Sequence, residues 1–298
     1  MEVECRFCKG KEVVKRGFRN NQVGRVRVYY CKTCGKVYSE NTTFMKMKHK
    51  GEVILTALDL YTKNVSLRKI QDHLKQIHGV RVSHVTILKW IRKYSKIYKE
   101  YTDKLKANGS GTLHADEMMV NINGRWTWFW DAIDEKTRFI TATHLSKVRE
   151  LGDAKKIFYE SKRKLNQSPE VIVTDGLHVY PRSITKVFGQ WGVKHVKLVK
   201  FGQKPENNLI ERFHGTIRER TKVMRGFDKF YSAKAILDLI ITNYNFIRPH
   251  ISLNGLTPAQ ASGINLPLNG GNRWLELLKL AIDSQNGGVQ NDKREDTE

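Results

Sequence analysis

The fold class that the sequence predicts is an α/β core set behind two small N-terminal domains, one all-β and one all-α. Three observations predict it. Between residues 112 and 145 the chain reads as three successive strands joined by short turns. From residue 151 to about 222, helical and strand-like stretches alternate, which is the order of a sheet covered by helices. Before residue 100, four cysteines in two pairs give way to three short helical stretches.

Composition narrows the class of partner. At 298 residues, 40% apolar and 10% aromatic, the chain is a folded protein with room for two or three units. Its net charge is +23, and residues 1–100 alone carry 23 Lys/Arg against 8 Asp/Glu. Solubility does not require that excess, whereas a polyphosphate partner exploits it by counterion release. No apolar run approaches the roughly 18–20 residues of a spanning helix, so a membrane partner is not expected. No basic segment followed by an apolar run opens the chain, and the expected location is cytoplasmic, with the nucleoid. No glycine-rich Walker loop occurs, so a nucleotide cofactor is not expected.

Residues 1–48 are expected to form a zinc ribbon. All four cysteines lie in Cys5-x-x-Cys8 and Cys31-x-x-Cys34. A disulfide framework competes, but paired CxxC motifs in a chain without a secretion signal favour one structural zinc ion held by four thiolates. Lys9-Gly10 and Gly35-Lys36 supply turn residues where backbone amides must face sulfur. Residues 23–30 alternate like a strand, with a partner expected around 12–17. Arg25 and Arg27, with Lys15, Arg16 and Arg19, make the ribbon basic and favour contact with DNA.

Residues 49–100 are expected to form a helix-turn-helix domain. Helices are predicted over 53–61, 67–77 and 84–98, with Ser66 and Ser83 as N-caps and His78-Gly79-Val80 as the turn. Val85, Leu88 and Ile91 are assigned to the core of the third helix, and Lys89, Arg92, Lys93 and Lys96 to its DNA-facing side. An ordinary helical bundle is the plainer alternative. Residues 101–111, charged and ending in Ala-Asn-Gly-Ser-Gly, read as a linker.

The catalytic core is expected over 112–262. Strands are predicted at 112–122, 125–133 and 138–145, with Asn123-Gly124 as a two-residue hairpin turn. Trp126, Trp128 and Trp130 share one face of the second strand and are read as core packing rather than base stacking. A helix over 151–165, a strand at 171–173, a helix over 180–188, a strand at 195–199 and a helix over 205–222 follow. Three antiparallel strands followed by alternating helix and strand are the order of a ribonuclease-H-like fold.

Three acids fall at informative places in that order. Asp116 lies within the first strand, Asp175 at the carboxyl end of the fourth, and Glu211 on the helix after the fifth. Gathered without basic partners they would repel, so the site makes sense with cations. Hard oxygen ligands select magnesium or manganese, and two such ions roughly 3.5–4 Å apart clamp an in-line phosphoryl displacement. Glu117 is the rival to Asp116, but its position points to the opposite face of the strand. On the helix, Asn208, Glu211, His214 (or Gly215) and Arg218 fall within one stripe.

These residues resemble the DDE-type transposases of prokaryotic insertion sequences, in particular the family-six group with a retroviral-integrase-like core. The resemblance is carried by His-Ala-Asp-Glu at 114–117, Val-Thr-Asp-Gly at 173–176, the run 207–222, and Tyr-Asn…Arg-Pro-His at 244–250 followed by Thr-Pro-Ala at 257–259. It implies that Asp116, Asp175 and Glu211 hold two magnesium or manganese ions. The last two acids are 36 positions apart, close to the family's spacing. It also implies that Arg218 meets DNA, flanked by Asn208 and His214. His214 is left with three readings: a phosphate contact, a shaper of the metal site, or helix packing.

The activity implied is cleavage at the element's terminal inverted repeats and strand transfer into target DNA, carried out by a homodimer or larger assembly. A non-catalytic DNA-binding regulator using residues 1–100 is the alternative. The tail, residues 263–298, is expected to hold one helix over 273–282 and a solvated end.

Overall fold

The computed structural model describes residues 4–5, 7–21, 24–39, 43–44, 47–198, 208–268 and 271–285. In chain order its elements begin with β1 (Val13–Asn21), β2 (Gly24–Cys31), β3 (Val37–Ser39), α1 (Gly51–Thr62), α2 (Leu67–His78) and α3 (His84–Thr102). The middle of the chain holds β4 (Thr112–Ile122), β5 (Arg125–Asp134), β6 (Ile140–Ser146), α4 (Leu151–Lys164), β7 (Val171–Thr174), α5 (Val179–Phe188) and β8 (Lys194–Lys197). Then come α6 (Asn208–Met224), α7 (Phe230–Thr242), α8 (Pro258–Ala261) and α9 (Arg273–Gln285). Two compact units result, Met1–Asp59 with Leu268–Glu298, and Leu60–Pro267.

In the first unit β1, β2 and β3 form an antiparallel sheet in that order. The two CxxC segments fold alike. Lys9 N–H donates to the Cys5 carbonyl at 2.8 Å and Gly35 N–H to the Cys31 carbonyl at 2.9 Å. Each turn needs a left-handed residue after its second cysteine, which Lys9 and Gly35 supply at φ 61° and 69°. The sheet and the cysteine cluster fit the ribbon expected from the sequence. Helix α9 belongs to this unit as well. Its Trp274 indole N–H donates to Asp59 on α1 at 3.3 Å, and its Leu277, Leu278 and Ile282 are buried.

The second unit is built on a five-stranded sheet ordered β6-β5-β4-β7-β8. The pairs β6/β5 and β5/β4 are antiparallel, while β4/β7 and β7/β8 are parallel. This is the ribonuclease-H-like arrangement. Asn123 and Gly124 both take positive φ, 51° and 75°, as the tight β4–β5 hairpin requires. Period-two alternation then separates the faces. Leu113, Ala115, Trp130 and Ala132 pack against Ile157 and Phe158 of α4 and Tyr180 and Ile184 of α5. The opposite face turns toward α6, whose buried stripe is Ile210, Phe213, His214, Ile217 and Arg220.

The Tyr-Asn…Arg-Pro-His segment is structural. A single π-helical turn over Asn243–Ile247 aims Asn245 at the sheet. There Ile140 N–H donates to Asn245 Oδ1 and Asn245 Nδ2 donates to the Ile140 carbonyl, both at 3.0 Å. One side-chain amide thus completes the buried start of β6 as a neighbouring strand would. His250 closes the same corner, its ring 4.5 Å from that of Tyr244.

Several expectations need correcting. Ser66 and Ser83 do cap α2 and α3, accepting from Lys69 N–H and Thr86 N–H at 3.3 and 3.1 Å. However, the units divide within residues 49–100, because α3 packs along α7 of the core. Val85 is exposed, since the buried stripe of α3 runs through Ile87, Trp90, Ile91, Tyr94 and Tyr98. That stripe continues to Tyr101 and Thr102, so helix occupies the start of the expected linker. Trp130 is core and Trp128 packs beside it, but Trp126 at the hairpin end is exposed. No element is predicted from the sequence for the stretch that forms α7. The solvated end expected after Asp283 lies, beyond Gln285, outside the described residues.

Replacing Asn245 by Ala strands the Ile140 N–H and carbonyl without partners. It is expected to lower stability by about 2–4 kcal/mol, measured by urea unfolding of the full chain. A loss below roughly 0.5 kcal/mol would show that water completes β6 instead.

Candidate active site

Parallel pairing of β4 with β7 sets Ala115 opposite Thr174, so the next residue of each strand, Asp116 and Asp175, emerges at the same sheet edge. Asp116 faces α6: its Oδ2 lies 3.8 Å from His214 Nδ1, and its Oδ1 accepts the Glu117 N–H at 2.9 Å. Glu117, one residue on, faces α4 and α5 as alternation demands. It accepts the Tyr180 hydroxyl and pairs with Arg149. The Arg149 guanidinium lies 4.6 Å from the Trp128 ring centroid and 3.9 Å from Asp175 Oδ2. Asp175 also accepts Leu177 N–H at 2.9 Å, so it shapes its turn as well as facing the cluster.

Opposite faces do not keep the acids apart. Ligand oxygens of Asp116, Glu117 and Asp175 all lie within 4.8 Å of one another. Glu117 therefore joins the group from which its strand position appeared to exclude it. Glu211 is outside that group, exposed on the first turn of α6, three residues before His214. The reason is the helix's apolar stripe: Ile210, Phe213 and Ile217 turn His214 inward and leave Glu211 at the stripe's border. Asn208 and Arg218 are exposed on α6.

The electrostatics are those of buried acids. Burial pushes the Asp116 carboxyl up to about 7; His214 opposes the rise, while Asp131 and Glu117 add to it. Burial likewise raises Glu117 and, on β5, the fully buried Asp131. Burial alone would lower His214, but Asp131 bonded to it and Asp116 nearby raise it above its ordinary value. Three hard-oxygen donors this close together, with Asp116 and Glu117 raised by burial, are the donor set that a divalent cation relieves.

The second cluster is the four cysteines, whose Sγ atoms also lie within 4.8 Å of one another. Cys5–Cys34 and Cys8–Cys31 are each 3.6 Å apart, too long for a disulfide. Ligands about 2.3 Å from one tetrahedral zinc ion would be separated by roughly this distance.

The residues expected to meet DNA are spread out. Lys89, Lys93 and Lys96 are exposed on α3, whereas Arg92 is half-buried, bonded to Ser232 at 2.9 Å and set over the Tyr231 ring. Arg27 lies over Phe18, and the side chain of Arg25 is outside what the structure describes. Among the described residues, no helix is long and apolar enough to cross a membrane.

Residues 110–248 match a family described as a DDE domain, a span that contains both strand-borne acids and α6. The transposase for insertion sequence-like element IS431mec of Staphylococcus aureus is 24% identical over 234 residues, 75% of this chain and 98% of that one. Residues 110–248 therefore carry a DDE domain, and the chain is similar to transposases of insertion sequences. An uncharacterized protein of Methanocaldococcus jannaschii is 28% identical over 191 residues, 64% of this chain and 81% of that protein. The HTLV-2 integrase catalytic core domain, solved in complex with magnesium (dimeric form), is 15% identical at a TM-score of 0.41. It covers 53% of this chain and 98% of that one.

Sequence reasoning did not find Asp131, Arg149 or Tyr180. Asp131 carried one usable signal, a carboxylate inside a strand otherwise rich in tryptophan and apolar residues. Arg149 and Tyr180 are ordinary residues until the fold brings them to Glu117.

A carboxyl whose proton is held more tightly folded than unfolded stabilises the fold at low pH, and that advantage is lost as pH rises through the folded value. Without divalent cations, stability is expected to fall between pH 5 and 8, because Asp116 titrates near 7. The change is on the order of 2–4 kcal/mol. In thermal melts Asp116→Asn should flatten this slope and melt above the unaltered protein at pH 8. An unchanged slope would remove Asp116 as its source.

Proposed function

We propose that this protein is a transposase that cleaves DNA at the ends of its insertion sequence and joins the freed ends to target DNA at a site made by Asp116, Asp175 and Glu211. The observation that carries this reading is the convergence of Asp116, within β4, and Asp175, just past the carboxyl end of β7, in one close group of carboxylates. These acids would hold divalent cations, magnesium or manganese, two in the fold's usual chemistry, which activate the attacking oxygen and neutralise the leaving one. Glu211 is carried by the same helix that presses His214 toward Asp116, which supports it as the third ligand.

The chain's own residues then have separable tasks. Asp116 and Asp175 set the position of the scissile phosphate, and the sheet edge holds them rigidly. In the first step water attacks the phosphodiester at the element's end, and the leaving oxygen departs as a 3′-hydroxyl. In the second, that hydroxyl attacks a target phosphodiester, so one P–O bond forms for each that breaks. Arg218, exposed on α6, is placed to contact a DNA phosphate. Lys89, Lys93 and Lys96, with the basic ribbon, add affinity without selecting sequence. Two ends must be joined together, which calls for a dimer or larger assembly. Cys5, Cys8, Cys31 and Cys34 would hold one zinc ion whose task is to keep the ribbon folded. A regulator that only binds DNA has no use for carboxylates crowded into a buried edge.

Asp116→Asn, Asp175→Asn and Glu211→Gln are each expected to reduce magnesium-dependent strand transfer at least 10³-fold, in keeping with loss of a metal clamp, while end binding is retained. The assay is gel resolution of labelled terminal repeats incubated with target plasmid. Normal joining by any of the three rejects that residue's role. Elemental analysis should find one zinc per chain, and Cys31→Ser should remove it while the unit Leu60–Pro267 still unfolds cooperatively.

A further inference from the structure

Two buried side chains stand behind Asp116 that the three-acid site does not itself require. Asp131 on β5 is the register partner of Asp116 on β4, and both face α6. Its side chain is 0% exposed and that of His214 is 3% exposed. His214 Nε2 lies 2.7 Å from Asp131 Oδ1, and Nδ1 lies 3.8 Å from Asp116 Oδ2. The other Asp131 oxygen, Oδ2, is buried with no hydrogen-bond partner. His214 is thus sealed from DNA, which removes one of the readings left open by its place in the motif.

Packing alone does not account for the pair. A strand position buried against a helix is ordinarily filled by a branched apolar side chain, and buried ionic pairs are often no more stable than apolar replacements of similar volume. An acid left with one oxygen unpartnered is costlier still. What the pair does achieve is geometric. Asp131 accepts the proton on Nε2, which fixes the ring's tilt and leaves its Nδ1 edge against Asp116. The Glu117 amide holds the other oxygen of Asp116. The Asp116 carboxylate therefore has one oxygen hydrogen-bonded and the imidazole edge 3.8 Å from the other, which biases its rotation about its last bond.

We infer that Asp131 and His214 are positioning residues: a buried acid orients the imidazole, and the imidazole orients the carboxylate of Asp116 toward the cation that it holds with Asp175. Buried carboxylates that orient an imidazole beside a metal site act in this way in other proteins, and their loss weakens metal binding without touching the metal. This inference rests on the reading of Asp116 as a cation ligand, and the test separates the two.

The experiment uses the zinc-loaded full chain and manganese as probe, with bound and free Mn²⁺ measured by electron paramagnetic resonance and folding followed by thermal melts. Three variants are compared with the unaltered protein. Asp116→Asn tests the ligand itself. His214→Gln places an amide N–H within reach of Asp131 but nothing against Asp116. Asp131→Asn keeps the shape and removes the charge that orients the ring. Expected is a loss of measurable Mn²⁺ affinity at this site in Asp116→Asn. His214→Gln and Asp131→Asn are each expected to weaken Mn²⁺ binding by about tenfold or more. The double variant should be no weaker than the worse single one, because both act along one chain of contacts. If either single variant fails to fold, the other decides. Mn²⁺ affinity within twofold of the unaltered protein in a folded His214→Gln or Asp131→Asn overturns the inference while leaving the cation site standing. An unaltered protein that binds no Mn²⁺, or an Asp116→Asn variant that binds it equally well, overturns both.

Discussion

The structure depends on one strand pairing. Because β4 and β7 run parallel with Ala115 opposite Thr174, two aspartates far apart in the chain leave the sheet side by side. Everything around them answers the resulting crowding of negative charge. Arg149 is drawn over Trp128 toward Glu117 and Asp175, Tyr180 donates to Glu117, and His214 is inserted between Asp116 and Asp131. A sheet edge selected for stability alone would carry none of these acids, and the proton retained near pH 7 on Asp116 records the cost.

Helix α6 shows how one element serves two demands. Its apolar stripe secures it to the sheet, and the residue completing that stripe is a histidine rather than another isoleucine. The border and outer face keep Glu211 and Arg218 accessible. Packing thereby sets the rotation of the helix, and that rotation decides which motif residues point at the acids and which at solvent. Asn245 does the same kind of work farther off, where one amide finishes the edge of β6 with two hydrogen bonds. Motif residues here divide into acids gathered beside one another and residues that hold the sheet in place around them.

Much of the fold was legible along the chain. The Asn123-Gly124 hairpin, the serine caps of α2 and α3, and the alternation that defines β4 and β5 are local features, determined within a few residues by backbone sterics and hydrogen bonding. The cysteine spacing was equally plain, since each CxxC turn closes on itself. Less legible were features whose cause lies across the sheet. Val85 looked like core until the stripe of α3 was set by its packing on α7. Glu117 looked turned away from the site, because alternation describes where a side chain leaves a strand and not how far a carboxylate reaches at its edge.

The succession of strands and helices along the chain and the two cysteine pairs follow from the sequence by itself, since they are written in periodicity and spacing. The tertiary structure alone decided that Asp131 stands behind Asp116, that His214 is buried between them, and that Glu117 rather than Glu211 completes the closest group of carboxylates. Those choices are made by strand register and helix rotation. Both arise from packing between segments distant in the chain, which no window of sequence contains.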